Sequence, residues 1–243
     1  MIGWRGRIGL IIPSPNTTIE YEYPKMAPEG ISVHVSRIYY PETTDPQEKE
    51  KNLVKMGSDA IQAAREVACV KPQVIAFCCT SGSFVKGEKH TREMIKQIEK
   101  ITGIPTVTTS TAVLEAFKQF KLKKIAMATP YHEEIVEKEV QYFEKNIPNF
   151  KIVATKNLGI IGGLPKGNLY PSSAYISAKE VNTPEAEAVF ISCTAWRTIE
   201  IIDLLEEDMG KPVITSNQAT MWAILKKMGI HNIEGYGKLL REL

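Results

Sequence analysis

Val74-Ile75-Ala76-Phe77-Cys78-Cys79-Thr80 and Ala188-Val189-Phe190-Ile191-Ser192-Cys193-Thr194 are the two stretches on which the fold turns. Each is an uncharged run of β-branched and aromatic residues that breaks after a Cys-Thr pair. Runs of this length and composition read as strands buried on both faces, as parallel sheets demand. Two further matches flank them in the same order. Ile8–Pro13 (IGLIIP) corresponds to Ile125–Pro130 (IAMATP), 117 residues on, and Gly103–Thr109 (GIPTVTT) to Gly210–Ser216 (GKPVITS), 107 residues on. Cys79 lies 114 residues before Cys193. Offsets that drift by ten residues are what altered loop lengths do to a duplicated unit, and three matches in one order exceed what generic strand–helix alternation supplies.

Working outward, Arg7–Ile12, Ile31–Ile38, Pro105–Thr109, Lys124–Thr129, Lys151–Leu158 and Val213–Ser216 also read as strands. Helical spacing marks Gln47–Val70, with Leu53, Met56, Ile61, Ala64 and Val67 on one stripe. Further helices are predicted at Lys89–Ile101, Ser110–Phe120, Tyr131–Asn146, Ser172–Val181, Thr198–Met209 and Gln218–Met228. Strands alternating with helices throughout predict an α/β fold of two pseudo-symmetric, doubly wound parallel-sheet domains, with the active site between them. The expected division is residues 1–115 plus 217–243 for the N-terminal domain and 116–216 for the C-terminal one. A C-terminal helix at about 217–243 should return to pack on the first domain.

Composition excludes several classes. Hydrophobic residues are 43%, charged 24% and aromatic 8% of 243, which is globular and not that of a disordered, coiled-coil or collagen-like chain. Thirty Lys+Arg against 28 Asp+Glu leave a charge of +2, no electrostatic footprint for nucleic acid. No apolar run approaches the roughly 20 residues that span a bilayer. The six residues between Arg7 and Ser14 are fewer than the about 7–15 of a signal-peptide core. The expectation is a cytoplasmic protein with no membrane and no nucleic-acid partner. The four cysteines, Cys69, Cys78, Cys79 and Cys193, form no CxxC and have no His at metal-ligand spacing, so neither zinc nor a disulfide framework is indicated.

In an open parallel sheet, ligands bind beyond the carboxyl ends of the strands. Cys79 and Cys193 each sit at such an end, and a pseudo-twofold would bring those ends together across a cleft, with one thiol facing each side of its contents. That suits chemistry at a planar or α-carbon centre that is attacked or deprotonated on one face and protonated on the other. The neighbours fit a small anion: Thr80-Ser81-Gly82-Ser83 follows the first cysteine and Thr194-Ala195 the second, and N–H groups of such turns form anion-binding concavities. Asn16, in Pro13-Ser14-Pro15-Asn16, and Tyr131, in its counterpart, offer neutral hydrogen bonds, though the first string is also a good turn. Cys78 should point to the opposite face from Cys79, into the core, and Cys69 should pack at a helix end. His132 reads as a capping or surface residue. Trp196-Arg197 reads equally as an anion clamp or as packing, and Gly162–Gly167 as a mobile flap.

PSPNTTIE (13–20), FCCTSGSF (77–84), ATPYHEE (128–134) and ISCTAWRT (191–198) resemble the Asp/Glu racemase superfamily, within it the branch of maleate cis-trans isomerases and arylmalonate decarboxylases. The resemblance spans nearly the whole chain. It implies a cofactor-independent enzyme, a small carboxylate substrate and a homodimer. It also implies that Cys79 adds to a double bond, that Cys193 protonates the neighbouring carbon, and that Asn16 and Tyr131 hold the substrate carboxylates. The decarboxylases keep only the second cysteine, and Thr80 and Ser81 resemble their oxyanion pocket; Thr194 supplies a further hydroxyl. The isomerases carry one more substrate-binding Asn on the flap, near where this chain has Gly163; Asn168, a short shift away, is expected to take that part, and Thr80, Ser81 and Thr194 to bind substrate with it. A maleate-to-fumarate type isomerase is expected first. An amino-acid racemase exchanging a proton between two thiols, a decarboxylase and a non-catalytic carboxylate-binding module are the alternatives.

Overall fold

The Ile8–Ile12 run is extended and wholly buried, and it forms the centre of β1 (Gly6–Pro13). It is followed by α1 (Ile19–Met26), β2 (Ile31–Ile38), α2 (Pro46–Ala68), β3 (Val74–Phe77), α3 (Thr80–Phe84), α4 (Gly87–Thr102), β4 (Thr106–Thr108) and α5 (Thr109–Gln119). The second half runs β5 (Lys124–Thr129), α6 (Glu133–Asn146), β6 (Lys151–Asn157), α7 (Gly163–Gly167), α8 (Pro171–Val181), β7 (Ala188–Ile191), α9 (Ile202–Met209), β8 (Val213–Thr215) and α10 (Ser216–Lys227), with α11 (Lys238–Arg241) last. This computed structural model describes residues 1–231 and 233–242.

Two four-stranded parallel sheets result, ordered β2-β1-β3-β4 and β6-β5-β7-β8. The second order is the first with each strand replaced by its repeat, and the registers repeat too. Ile8 pairs with Val74 and Ile125 with Ala188; Ile75 pairs with Thr106 and Val189 with Val213. These are the residue correspondences of the internal repeat, so both halves are α/β units built to one plan.

Local chemistry is duplicated with the register. Thr108 and Thr215 each close a capping box at the start of the following helix, with Thr111 and Gln218 as partners. Gly103 and Gly210 each end a helix at left-handed φ, 70° and 64°. The halves share apolar contact through Phe117 of α5, whose ring lies 5.2–5.4 Å from those of Phe143, Phe150 and Phe190. Helix α10 packs along α5 and also against α1, β3 and β4.

The structure departs from the sequence reading in several places. The ladders of β3 and β7 stop at Phe77 and Ile191, so both Cys79 and Cys193 lie past the strand ends. Helix α1, unforeseen because Pro24 lies inside it, is held by the burial of Ile19, Glu22, Tyr23 and Met26. The expected single C-terminal helix ends at Lys227, and Gly229 and Gly237 at positive φ separate it from α11. Cys69 does not pack: it is the exposed C-cap of α2. No helix among the described residues is long and apolar enough to cross a membrane.

Candidate active site

Where β3 and β7 end, the chain enters two tight turns that aim both thiols into one cavity of about 50 Å³. That is several times the roughly 10–15 Å³ a single water needs. Asn16, Ser81, Tyr131 and Thr194 line it too, with Pro13, Pro15, Tyr40, Leu53, Ile161, Gly163 and Ala195. Cys79 is the N-cap of α3, and its sulfur accepts the Gly82 N–H at 3.3 Å, with Ser81 Oγ at 3.9 Å. A Cβ at Gly82 would stand 3.0 Å from that sulfur and 2.5 Å from Met56 Cε, so glycine leaves the turn room to close on the thiol.

Cys193 is held differently. Its φ is +112°, outside the regions an L-residue adopts freely and a cost of about 1–3 kcal/mol. The surroundings enforce it. The Cys193 N–H donates to Ser216 Oγ at 3.0 Å, and its sulfur accepts the Ala195 N–H at 3.4 Å. Ser216 Oγ also accepts from Thr80 Oγ1 at 3.0 Å, so one hydroxyl joins the two cysteine turns. Glu22 fixes the loop after Cys193: it accepts from the N–H groups of Thr198 and Ile199 and from Asn217 Nδ2, which also donates to the Thr194 carbonyl.

Asn16 Oδ1 accepts the N–H groups of Thr18 and Ile19, both at 2.9 Å, which leaves its NH₂ directed toward Thr194 Oγ1 and the cavity. The Tyr131 phenol faces the Cys193 thiol. Two predicted site residues are not on the cavity wall. Thr80 is fully buried behind it, bonded to Ser216. Asn168 is exposed as the C-cap of α7, two residues past the inward-facing Lys166. Arg197 pairs with Glu200 at 3.1 Å and does not clamp the cavity, while Trp196 is wholly buried and donates to Ser173 Oγ. His132 is the N-cap of α6 without a capping bond.

The sequence reading missed two residues of this cavity. Lys49 of α2 and Lys166 of α7 both line it, at 4% and 3% exposure. Their Nζ atoms lie 5.9 and 5.6 Å from the Tyr131 ring centroid. Both donate to the Ile161 carbonyl, and Lys166 also to that of Gly162 at 2.7 Å. The Gly162–Gly167 segment, read as a flap, lies over the site, where Glu42 accepts the N–H groups of Gly163 and Leu164. Cβ atoms at Gly162, Gly163 and Gly167 would collide with Glu42, Pro15 and Thr17, so this close seat needs glycine.

Burial sets the protonation of the site. It pushes the Cys79 thiol up to about 11, against the Gly82 N–H and the Ser81 hydroxyl, which favour the thiolate. It pushes Tyr131 well above the usual phenol range, so the phenol stays a donor. Burial and the charge of Lys166 bring Lys49 down to about 7, and burial lowers Lys166 as well.

Known proteins share this fold. Residues 8–240 match the family model described as arylmalonate decarboxylase. The chain is 28% identical to a maleate isomerase of Pseudomonas putida, over 96% of each chain. Among solved structures, a Pseudomonas putida maleate isomerase with maleate superposes at a TM-score of 0.90, with 24% identity and 97% of both chains covered. A Nocardia farcinica maleate cis-trans isomerase mutant carrying a covalently bound succinylcysteine intermediate superposes at 0.88, with 24% identity over 97% of this chain and 98% of that one.

Proposed function

The chain belongs to the arylmalonate decarboxylase family, and we propose that it is a two-cysteine isomerase of a small dicarboxylate, converting a cis-enedioate of the maleate type to its trans isomer. The observation that carries the proposal is the pair of thiols. Cys79 and Cys193 come from equivalent ends of duplicated sheets and line one cavity with Asn16, Ser81, Tyr131 and Thr194. Arylmalonate decarboxylation needs one thiol and would leave the other idle.

In this mechanism the Cys79 thiolate adds to C2 of the cis-enedioate and the Cys193 thiol gives its proton to C3. The C2–C3 bond, now single, rotates. The Cys193 thiolate then takes the proton back from C3 as the C2–S bond breaks, which releases the trans product and restores both sulfurs. Burial opposes the Cys79 thiolate; the Gly82 N–H and the Ser81 hydroxyl on the sulfur recover part of that cost. Tyr131 and Asn16, as neutral donors, bind carboxylate oxygens and stabilise charge that develops on them during addition, each such donor contributing roughly 3–4 kcal/mol. Thr80 positions: through Ser216 it fixes the strained Cys193 turn. The succinylcysteine of the Nocardia farcinica isomerase supports an adduct of this kind.

The same reading divides the chain into residues 1–115 plus 217–243 and 116–216, with the cavity at their seam. It takes the enzyme as cofactor-independent, cytoplasmic and homodimeric. The direct test is proton NMR of maleate incubated with the wild type, Cys79→Ser and Cys193→Ser. Fumarate should appear with the wild type alone, and full activity in either variant ends the proposal.

A further inference from the structure

Lys49 and Lys166 are the part of the cavity that two-thiol chemistry leaves unused. Lysines are almost never this deeply buried without an acidic partner, and none of the ion pairs among the described residues includes either one. Instead each rests on main-chain carbonyls of the segment above the site. An ammonium has three donors. Lys166 uses two, on Ile161 and Gly162, and Lys49 uses one, on Ile161. As ammonium groups they keep three between them, and both Nζ atoms sit within 6 Å of the Tyr131 ring, on the wall shared with the two sulfurs. The amines also come from opposite halves, α2 and α7.

We infer that Lys49 and Lys166 form a cationic subsite that grips one carboxylate of a dianionic substrate, and that this pair makes the site select doubly charged acids over singly charged ones. The inference deepens the isomerase reading and rests on it for the identity of the substrate. Charging both buried amines without a counter-ion is costly, and a carboxylate placed between them supplies the missing partner. The groups that face Lys49 are Lys166, both thiols, Tyr131 and His132, and Glu42 adds its charge near Lys166. Glu42 does not neutralise the pair, because its carboxylate caps the N–H groups of Gly163 and Leu164. With burial holding protons off both amines, and the charge of Lys166 holding them further off Lys49, binding a dianion draws protons onto the pair.

The test is isothermal titration calorimetry with succinate, which cannot be isomerised, and with its monoamide, succinamate. It is run at pH 8 in two buffers of different ionisation enthalpy. In the wild type, succinate should bind about tenfold or more tighter than succinamate and take up roughly one proton or more. Lys49→Met and Lys166→Met should each weaken succinate by about tenfold while leaving succinamate within about twofold, and Lys166→Arg should restore the preference. A wild type that binds the two acids alike, or binds neither, overturns the inference, as do methionine variants that keep the preference. Cys79→Ser separates the two readings: its succinate binding should match the wild type whether or not maleate is isomerised. Maleate turnover unchanged in both methionine variants would retire the lysine subsite and leave the isomerase standing.

Discussion

Replacing Gly163 by alanine puts a methyl group where the lid over the cavity meets the first half of the molecule. The new carbon would stand 2.8 Å from Glu42 Oε1 and 2.8 Å from Pro15 Cγ. Ordinary contact needs about 3.5–4.0 Å, so the gap must open by roughly 1 Å. Pro15 is a ring on the cavity wall and cannot swing aside, and Glu42 is tied to the Gly163 and Leu164 N–H groups at 2.9–3.0 Å. Those bonds are exposed to solvent and cost only about 1 kcal/mol to lose, whereas overpacking a closed lid costs about 1–3 kcal/mol. The lid therefore lifts. It carries the Ile161 carbonyl on which both lysines hang, and a displacement of about 1 Å from productive geometry can cost on the order of a hundredfold. Gly163→Ala should lower kcat/KM for maleate by about 10–100-fold with little change in melting temperature. Leu164→Ala, at a side chain 45% exposed on the same lid, should leave both unchanged. The assay is continuous ultraviolet monitoring of the double bond beside thermal unfolding. A Gly163→Ala enzyme with wild-type kcat/KM refutes the seated lid.

Three further outcomes follow from the same contacts. Asn16→Asp keeps the acceptor that holds the Thr18 and Ile19 N–H groups but turns the donor on the cavity into a carboxylate; thermal stability should hold while kcat/KM falls by about 100-fold or more. Ser216→Ala removes the oxygen that receives both the Cys193 N–H and the Thr80 hydroxyl; denaturant unfolding should register a loss of about 1–3 kcal/mol, and kcat should fall more than KM rises. Burial holds Glu139 up to about 8, against an ordinary 4.5, with Ser192 Oγ on its carboxyl. The folded chain thus binds more protons there than the unfolded one, and the stability this contributes is full below about 4.5 and lost as pH rises through about 8. Glu139→Gln should flatten that part of the stability–pH curve, measured by denaturant unfolding at pH 5 and 9.

The architecture was legible because duplication wrote it twice. Ile8 with Ile125, Val74 with Ala188 and Thr106 with Val213 are residue correspondences that the strand registers reproduce. The cysteines were legible because each ends a run that can only be a buried strand. Helix α1 was not, since Pro24 is a local breaker whose cost the packing of Ile19 and Tyr23 offsets. Lys49 left a trace that went unread: it falls four residues before Leu53, on the apolar stripe of α2, where a solvated lysine does not belong. Lys166 left none, because its burial depends on the single turn of α7 lying across Pro15 and Thr17 from the other half. For the same reason the sequence does not reveal that Asn168 faces solvent. The Glu22–Asn217 bridge behind Thr194 joins residues 195 apart, a distance over which local pattern carries no information.

The central claim is that one sulfur bonds to the substrate while the other moves a proton across the same small space. It is decided by intact-protein mass spectrometry of Cys193→Ser after incubation with maleate. The protein should gain the mass of one maleate, mapped by peptide fragmentation to Cys79 and absent when Cys79 is also serine. An unmodified protein, or an adduct carried by Cys78 or Cys69 in its place, contradicts it.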